Sequence, residues 1–230
     1  MCGRYTQTQG FEVLQNRFGF IPQEEIRPGT PLLKPRYNLA PGQEAPVVIY
    51  EDSKILRLMQ WGLVPSWAKE ASIGYKMINA RAETLTQKPS FKKSFKQRRC
   101  LVLADGFYEW RKGTGGRTKI PLRFVLKNRE PFAFAGLWDT WQKPDGDLLH
   151  SFTIITTESN ELIRPIHDRM AVMLRQEDEA KWLDPDLKDV EQLIPLLKPY
   201  PSDQMEGYEV STLVNSPKND TPECILSRGA

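Results

Sequence analysis

Apolar residues recur along this chain with two periods, and the change from one to the other marks its elements. Phe11, Leu14 and Phe18, with polar residues between them, have the spacing of one helix face and predict a helix over 11–18. A stretch from 21 to 41 carries prolines at 22, 28, 31, 35 and 41, which forces extended or turning chain. Runs at 47–50 and 55–61 read as two strands around a polar turn at Glu51-Asp52-Ser53. Residues 80–97 accommodate a helix and a basic loop, and 101–104 is a short apolar strand that breaks at Asp105-Gly106 before a second strand at 107–110.

Strand patterns continue at 122–126, 132–137 and 151–157, with a glycine-rich hairpin tip at 111–119 and a Pro/Gly turn at 143–146. Helical spacing returns late, at 160–163, 176–183 and 189–197. Strands outnumber helices and do not alternate with them as βαβ units. The expected fold is therefore α+β: a β-rich, mixed or antiparallel, barrel-like sheet. Nothing resembles a linker or an internal repeat, so residues 1–230 are read as one domain.

Composition narrows the class. The 230 residues are 40% hydrophobic and carry a formal net charge of only +3, so bulk charge does not mark a nucleic-acid binder. Three cysteines, at 2, 100 and 224, lie far apart without a CxxC pair, which argues against a disulfide framework and against a structural zinc site; no metal is expected. No apolar run approaches the roughly 20 residues of a membrane span, and the N-terminus lacks the charged and apolar regions of a signal peptide. A monomeric, cytoplasmic protein needing no cofactor is expected.

Cys2 carries the sharpest chemistry. Removal of Met1 would leave an amine and a thiol on one residue. The amine can attack an aldehyde to give a Schiff base, and the thiol can close on the same carbon as a five-membered thiazolidine, with the rate advantage of an intramolecular step. An α-amine has a pKa of about 7.7–8.0, so about a tenth of it is neutral and nucleophilic near pH 7. Read alone, Cys2 is also simply a small terminal residue. His167, in Ile-His-Asp-Arg-Met, suits general acid–base work or an ordinary structural role, while His150 reads as a surface residue. Glu109, between Tyr108 and Trp110, faces away from both if the segment is a strand. It is either an exposed strand residue or a carboxylate against apolar walls with a raised pKa. Lys88, Lys92, Lys93, Lys96, Arg98 and Arg99, interleaved with Phe91 and Phe95, suit a phosphate backbone with bases stacking nearby, or form a solvated basic face.

Eight segments add a resemblance: Met-Cys-Gly-Arg-Tyr at 1–5, Arg-Tyr-Asn-Leu-Ala-Pro at 36–41, Trp-Gly-Leu-Val-Pro-Ser-Trp at 61–67, Asn-Ala-Arg-Ala-Glu at 79–83, the run 98–110 ending Gly-Phe-Tyr-Glu-Trp, Phe-Ala-Gly-Leu-Trp at 134–138, Phe-Thr-Ile-Ile-Thr-Thr at 152–157 and His-Asp-Arg-Met at 167–170. In this order they resemble the SOS response-associated peptidase (SRAP) family of abasic-site processing proteins, the best match covering 2–175. The resemblance implies the β-rich SRAP fold with a positively charged groove leading to Cys2. It implies Cys2 as nucleophile, Asn79 holding the amine and the opened sugar, Glu109 as catalytic carboxylate and His167 as acid–base group. Arg4, Arg81 and Thr156 match positions that touch DNA phosphates or the site, Arg98 joins the DNA contacts, and Pro41 and Trp67 resemble wedge and stacking residues. Ala68 departs from relatives that carry a second aromatic there.

The function so implied is a sensor that crosslinks Cys2, as a thiazolidine, to ring-opened abasic sites in single-stranded DNA, with weak lyase action alongside. Two other readings remain: a thiol (auto)peptidase using Cys2 as N-terminal nucleophile, and a non-catalytic single-strand binding module.

Overall fold

The computed structural model describes residues 2–23, 34–113, 115 and 118–228. In order, its elements are β1 (Tyr5–Gln7), α1 (Phe11–Phe18), β2 (Ile21–Pro22), β3 (Arg36–Leu39), β4 (Glu44–Tyr50), β5 (Lys54–Trp61), β6 (Asn79–Arg81), α2 (Pro89–Gln97), β7 (Arg99–Ala104), β8 (Gly106–Lys112), β9 (Lys119–Leu126), β10 (Phe132–Gln142), β11 (Leu148–Glu158), β12 (Arg169–Ala171), α3 (Gln176–Leu183), α4 (Val190–Leu193) and β13 (Met205–Glu209). Part of the proline-rich stretch, 24–33, and part of the hairpin tip lie outside the described residues.

Local sequence accounts for the helices. α1 buries Leu14 and Phe18, one turn apart, and stops at Gly19, whose φ of 65° is the left-handed conformation that glycine adopts freely. α2 starts with Pro89 in its first turn and buries Phe91, Ser94 and Phe95 on one face. The spacing at 160–163 does not become a helix; that segment turns instead, Ile163 N–H donating back to the Asn160 side chain at 3.1 Å.

Two sheets form. One has the order β13-β9-β8-β1-β3. In the other, β4 pairs with β5 and β7, β7 with β10, β10 with β11, and β11 returns to pair in parallel with β5 at Ser151–Gln60 and Phe152–Trp61. These five strands close a barrel, which removes their edges. The β-rich, barrel-like α+β architecture read from the sequence is the one observed.

Strand alternation divides the core. Cys100, Val102 and Ala104 of β7 pack with Cys2, Tyr5 and Phe107 between the barrel and the five-stranded sheet. Leu101 and Leu103 face the other way, with Phe91 and Phe95 of α2 and Trp182 of α3. The basic run therefore reads differently in three dimensions. Its phenylalanines are buried, and Arg99 is 5% exposed, donating to the carbonyls of Phe95, Lys96, Trp182, Asp184 and Leu187. Lys88, Lys92, Lys93 and Lys96 are exposed, and α2 packs on the side of β7 opposite Cys2.

The loop after β5 is fixed by contact between two backbones. A Cβ at Gly62, where φ is +125°, would lie 2.8 Å from the Gly74 carbonyl oxygen, and one at Gly74 would lie 2.7 Å from the Gly62 oxygen. That approach sets the loop carrying Trp67 and Tyr75.

Candidate active site

The register of β1 against β8 places the start of the chain. Tyr5 pairs with Phe107 and Thr6 with Gly106, and Tyr108 N–H donates to the Arg4 carbonyl at 3.0 Å. Continuing that antiparallel count brings residue 3 opposite Glu109, so Cys2 arrives beside the end of β8. Phe107 and Glu109 share one face of β8, turned inward, while Tyr108 packs on the other side with Val210, Val214 and Cys224. Glu109 is thus 4% exposed. The exposed-strand reading is overturned, and the reading of a carboxylate held against apolar walls stands.

Burial is the largest cause that pushes the Glu109 pKa up to about 7. Cys2 is fully buried, and burial, reinforced by the Glu109 charge, pushes its thiol up to about 12 even though the Arg4 backbone N–H donates to the sulfur. A thiol in that state is protonated and sits far from the activated thiolates of cysteine proteases.

Asn79 reaches the same point from the barrel. β6 runs parallel to β11 with Asn79 beside Ile154 and Arg81 beside Thr156. Asn79 Nδ2 donates to the Cys2 carbonyl oxygen at 2.8 Å, while its Oδ1 is buried without a partner among the described residues. Thr156 is buried, and Arg81, on the same strand face as Asn79, is exposed.

His167 follows the turn at 161–166 and is about one-third exposed. Its Nδ1 lies 3.0 Å from the Arg169 backbone nitrogen and 2.9 Å from Asp168 Oδ1. One nitrogen cannot accept from the first and donate to the second together. Burial, the leading influence, lowers the His167 pKa and favours the neutral ring, and Asp168 is largely in solvent. Nδ1 therefore accepts from Arg169, which puts the ring proton on Nε2.

Glu109 and His167 meet in one cavity of about 570 Å³, lined also by Arg4, Trp110, Lys119 and Asn215. A carboxylate with a raised pKa and an imidazole with a lowered one in one cleft make this the candidate site of the molecule. Among the described residues no three of His, Cys, Asp or Glu gather to hold a metal ion, and no helix is long and apolar enough to cross a membrane.

A family model for the SOS response associated peptidase (SRAP) matches residues 1–217. The chain belongs to the SRAP family. It is 48% identical to the abasic site processing protein YoqW of Bacillus subtilis, over 99% of this chain and 100% of that one. It is 35% identical to the abasic site processing protein HMCES of Xenopus tropicalis, over 84% of this chain and 66% of that one. A crystal structure of a Bacteroides thetaiotaomicron protein superposes with a TM-score of 0.89 at 28% identity, covering 98% and 99% of the two chains.

The remaining residues named from the family resemblance fall in separate places. Arg4 lines the cavity, but its Nη1 donates to Asn38 Oδ1 at 2.6 Å and the Val214 carbonyl at 2.7 Å. Pro41 and Gly42 form a turn, Gln43 N–H to the Ala40 carbonyl at 3.2 Å, beside Tyr75. Trp67, 58% exposed, shares a second cavity of about 790 Å³ with Tyr75. Arg98 is ion-paired with Asp139, which also accepts from Ser66 N–H, so Arg98 sits at the base of the Trp67 loop.

Sequence reasoning quoted Trp110 and Arg169 inside motifs without giving them roles. Trp110 lines the cavity, and Arg169 grips Glu83 at 2.6 and 3.0 Å and donates to the Thr156 carbonyl at 2.7 Å. Lys119 and Asn215 were missed. A basic, acid-free hairpin was the available signal for Lys119; Asn215 had none, since it lies beyond the well-matched segments.

Proposed function

We propose that this protein, after loss of Met1, traps the ring-opened sugar of an abasic site in single-stranded DNA as a covalent thiazolidine on Cys2. The observation that carries this reading is that Glu109 and His167 line one cavity near the end of the chain whose second residue Asn79 holds.

The steps follow from the groups present. The Cys2 amine adds to the aldehyde carbon, and the resulting carbinolamine loses water to give an imine. His167 Nε2–H supplies a proton to the departing oxygen, and Glu109, with its pKa near 7, accepts and returns protons at neutral pH. The thiol then adds across the C=N bond. Its hydrogen passes to nitrogen, so the adduct equals protein plus DNA minus one water. Because burial keeps the thiol protonated, the amine acts first and the sulfur last. Asn79 Oδ1 is placed to accept an N–H of the freed amine or a sugar hydroxyl, which would satisfy an otherwise orphaned buried acceptor. If the imine persists, proton removal from the neighbouring sugar carbon breaks the strand, which is the weak lyase action. Arg81, Thr156 and Arg98 are assigned to the DNA backbone, and Pro41 and Trp67 to splaying the strand.

All these residues come from one copy, so a monomer suffices. The peptidase reading requires an activated Cys2 thiolate, which the buried, protonated thiol opposes. Incubation with an abasic single-stranded oligonucleotide, followed by a denaturing gel, tests the proposal. Wild type gives a shifted band and Cys2→Ala gives none that is stable; equal retention by both would favour simple binding.

A further inference from the structure

Two cations, Arg4 and Lys119, line the cavity, and of these Lys119 has no ion-pair or side-chain hydrogen-bond partner among the described residues. Arg4 is held by Asn38 and Val214, its guanidinium lies 5.7 Å from the centre of the Trp110 ring, and burial lowers its pKa. Lys119, at the start of β9, is exposed at the cavity lip. In the β8–β9 ladder it stands directly opposite Lys112, which is also exposed. Neighbouring Arg111 is paired with Glu209, but neither lysine has an ion-pair partner among the described residues. Like charges directly opposite each other across a ladder destabilise it. Alternation also puts Tyr108, Trp110 and Lys112 on one face of β8, with Pro121 and Lys119 opposite the last two. A strip of indole followed by two ammonium groups thus runs outward from the cavity, and the repulsion within it is relieved by an anion arriving from outside.

We propose that Lys119, with Lys112 across the ladder, is a phosphate-binding rim that takes the backbone phosphodiester beside the reacting sugar. The site then selects an abasic sugar embedded in a strand over a free sugar aldehyde. This inference rests on the crosslinking function proposed above. It adds the residues that read the polyanion next to the lesion.

The test combines two measurements on wild type, Lys119→Ala, the double variant Lys112→Ala/Lys119→Ala, and Lys127→Ala as a charge-matched control beyond the far end of β9. Equilibrium binding of an oligonucleotide bearing a reduced, unreactive abasic site is followed against salt, and adduct formation is followed with the natural lesion and with free 2-deoxyribose. Lys119→Ala should weaken oligonucleotide binding several-fold and lower the salt slope by about 0.7, the loss of one single-strand phosphate contact, with a further drop in the double variant. Lys127→Ala should leave the slope at the wild-type value, and the 2-deoxyribose reaction, having no phosphate, should not distinguish Lys119→Ala from wild type. An unchanged slope in Lys119→Ala, or an equal loss with 2-deoxyribose, overturns the rim. If wild type forms no adduct with the natural lesion while the slope still falls in Lys119→Ala, the covalent reading fails and the rim stands.

Discussion

Asn79 holds Cys2 by its backbone: its amide nitrogen donates to the Cys2 carbonyl at 2.8 Å, and its own buried oxygen accepts from none of the described residues. The contact ties the tip of the chain to β11 through β6 and fixes where the amine must emerge. A neutral hydrogen bond of this kind contributes about 1 kcal/mol, so Asn79→Ala should slow adduct formation roughly fivefold through this contact alone. Asn79→Asp should be slower still, because a carboxylate would face a carbonyl oxygen. Single-turnover rates on an abasic oligonucleotide check the order; an Asp variant faster than the Ala variant would remove Asn79 from this role.

Glu109 predicts a pH dependence whose sign is fixed by its environment. Its pKa rises from an ordinary 4.5 to about 7, so the folded chain holds a proton that the unfolded chain has lost between those values. That contribution to stability is fully present below about 4.5 and declines as pH rises through about 7. Glu109→Gln removes the decline, so the variant should gain stability relative to wild type between pH 5 and pH 8 in urea unfolding. The same substitution should erase an inflection near pH 7 in the crosslinking rate. A pH-independent difference in both measurements would contradict the assignment.

In the proposed mechanism His167 would act through Nε2, because its Nδ1 faces the Arg169 backbone N–H. Loss of a positioned acid–base group costs on the order of 10²–10⁴ in rate, so His167→Ala should fall in that range. Binding of an unreactive abasic analogue should change far less. A loss confined to binding would make His167 a DNA contact alone.

Gly62 and Gly74 predict a stability effect away from the chemistry. Gly62→Ala forces a side chain into φ +125° and against the Gly74 carbonyl, at a cost of about 2 kcal/mol or more. Thermal unfolding reads this directly; a neutral substitution would mean that the 62–74 loop yields.

Much of this was legible in the sequence. Helix 11–18 and the strands at 47–50, 55–61, 101–104 and 107–110 follow from simple alternation and from Gly and Pro breaks, and the structure has an element at each. Cys2, Asn79, Glu109 and His167 could be named from ordered motifs. What remained hidden depends on which way a side chain turns. Phe91 and Phe95 fit a basic stacking surface equally well as a core face, and only packing against Leu101 and Leu103 decides for the core. Glu109 was ambiguous until the β1–β8 register turned it inward. β6 is three residues long and pairs in parallel with β11, a long-range pairing that no local pattern announces. Arg98, named from the sequence among the DNA contacts, is ion-paired with Asp139, which no local pattern announces.

The most direct test is a mass spectrum of the peptide trapped on an abasic oligonucleotide. The account predicts a peptide that begins at Cys2, lacks Met1, and has the mass of peptide plus nucleotide remnant minus one water, unchanged by borohydride because both the amine and the sulfur are bonded to the sugar carbon. An adduct on a chain that keeps Met1, or a mass that rises on borohydride reduction as an open imine would, contradicts it.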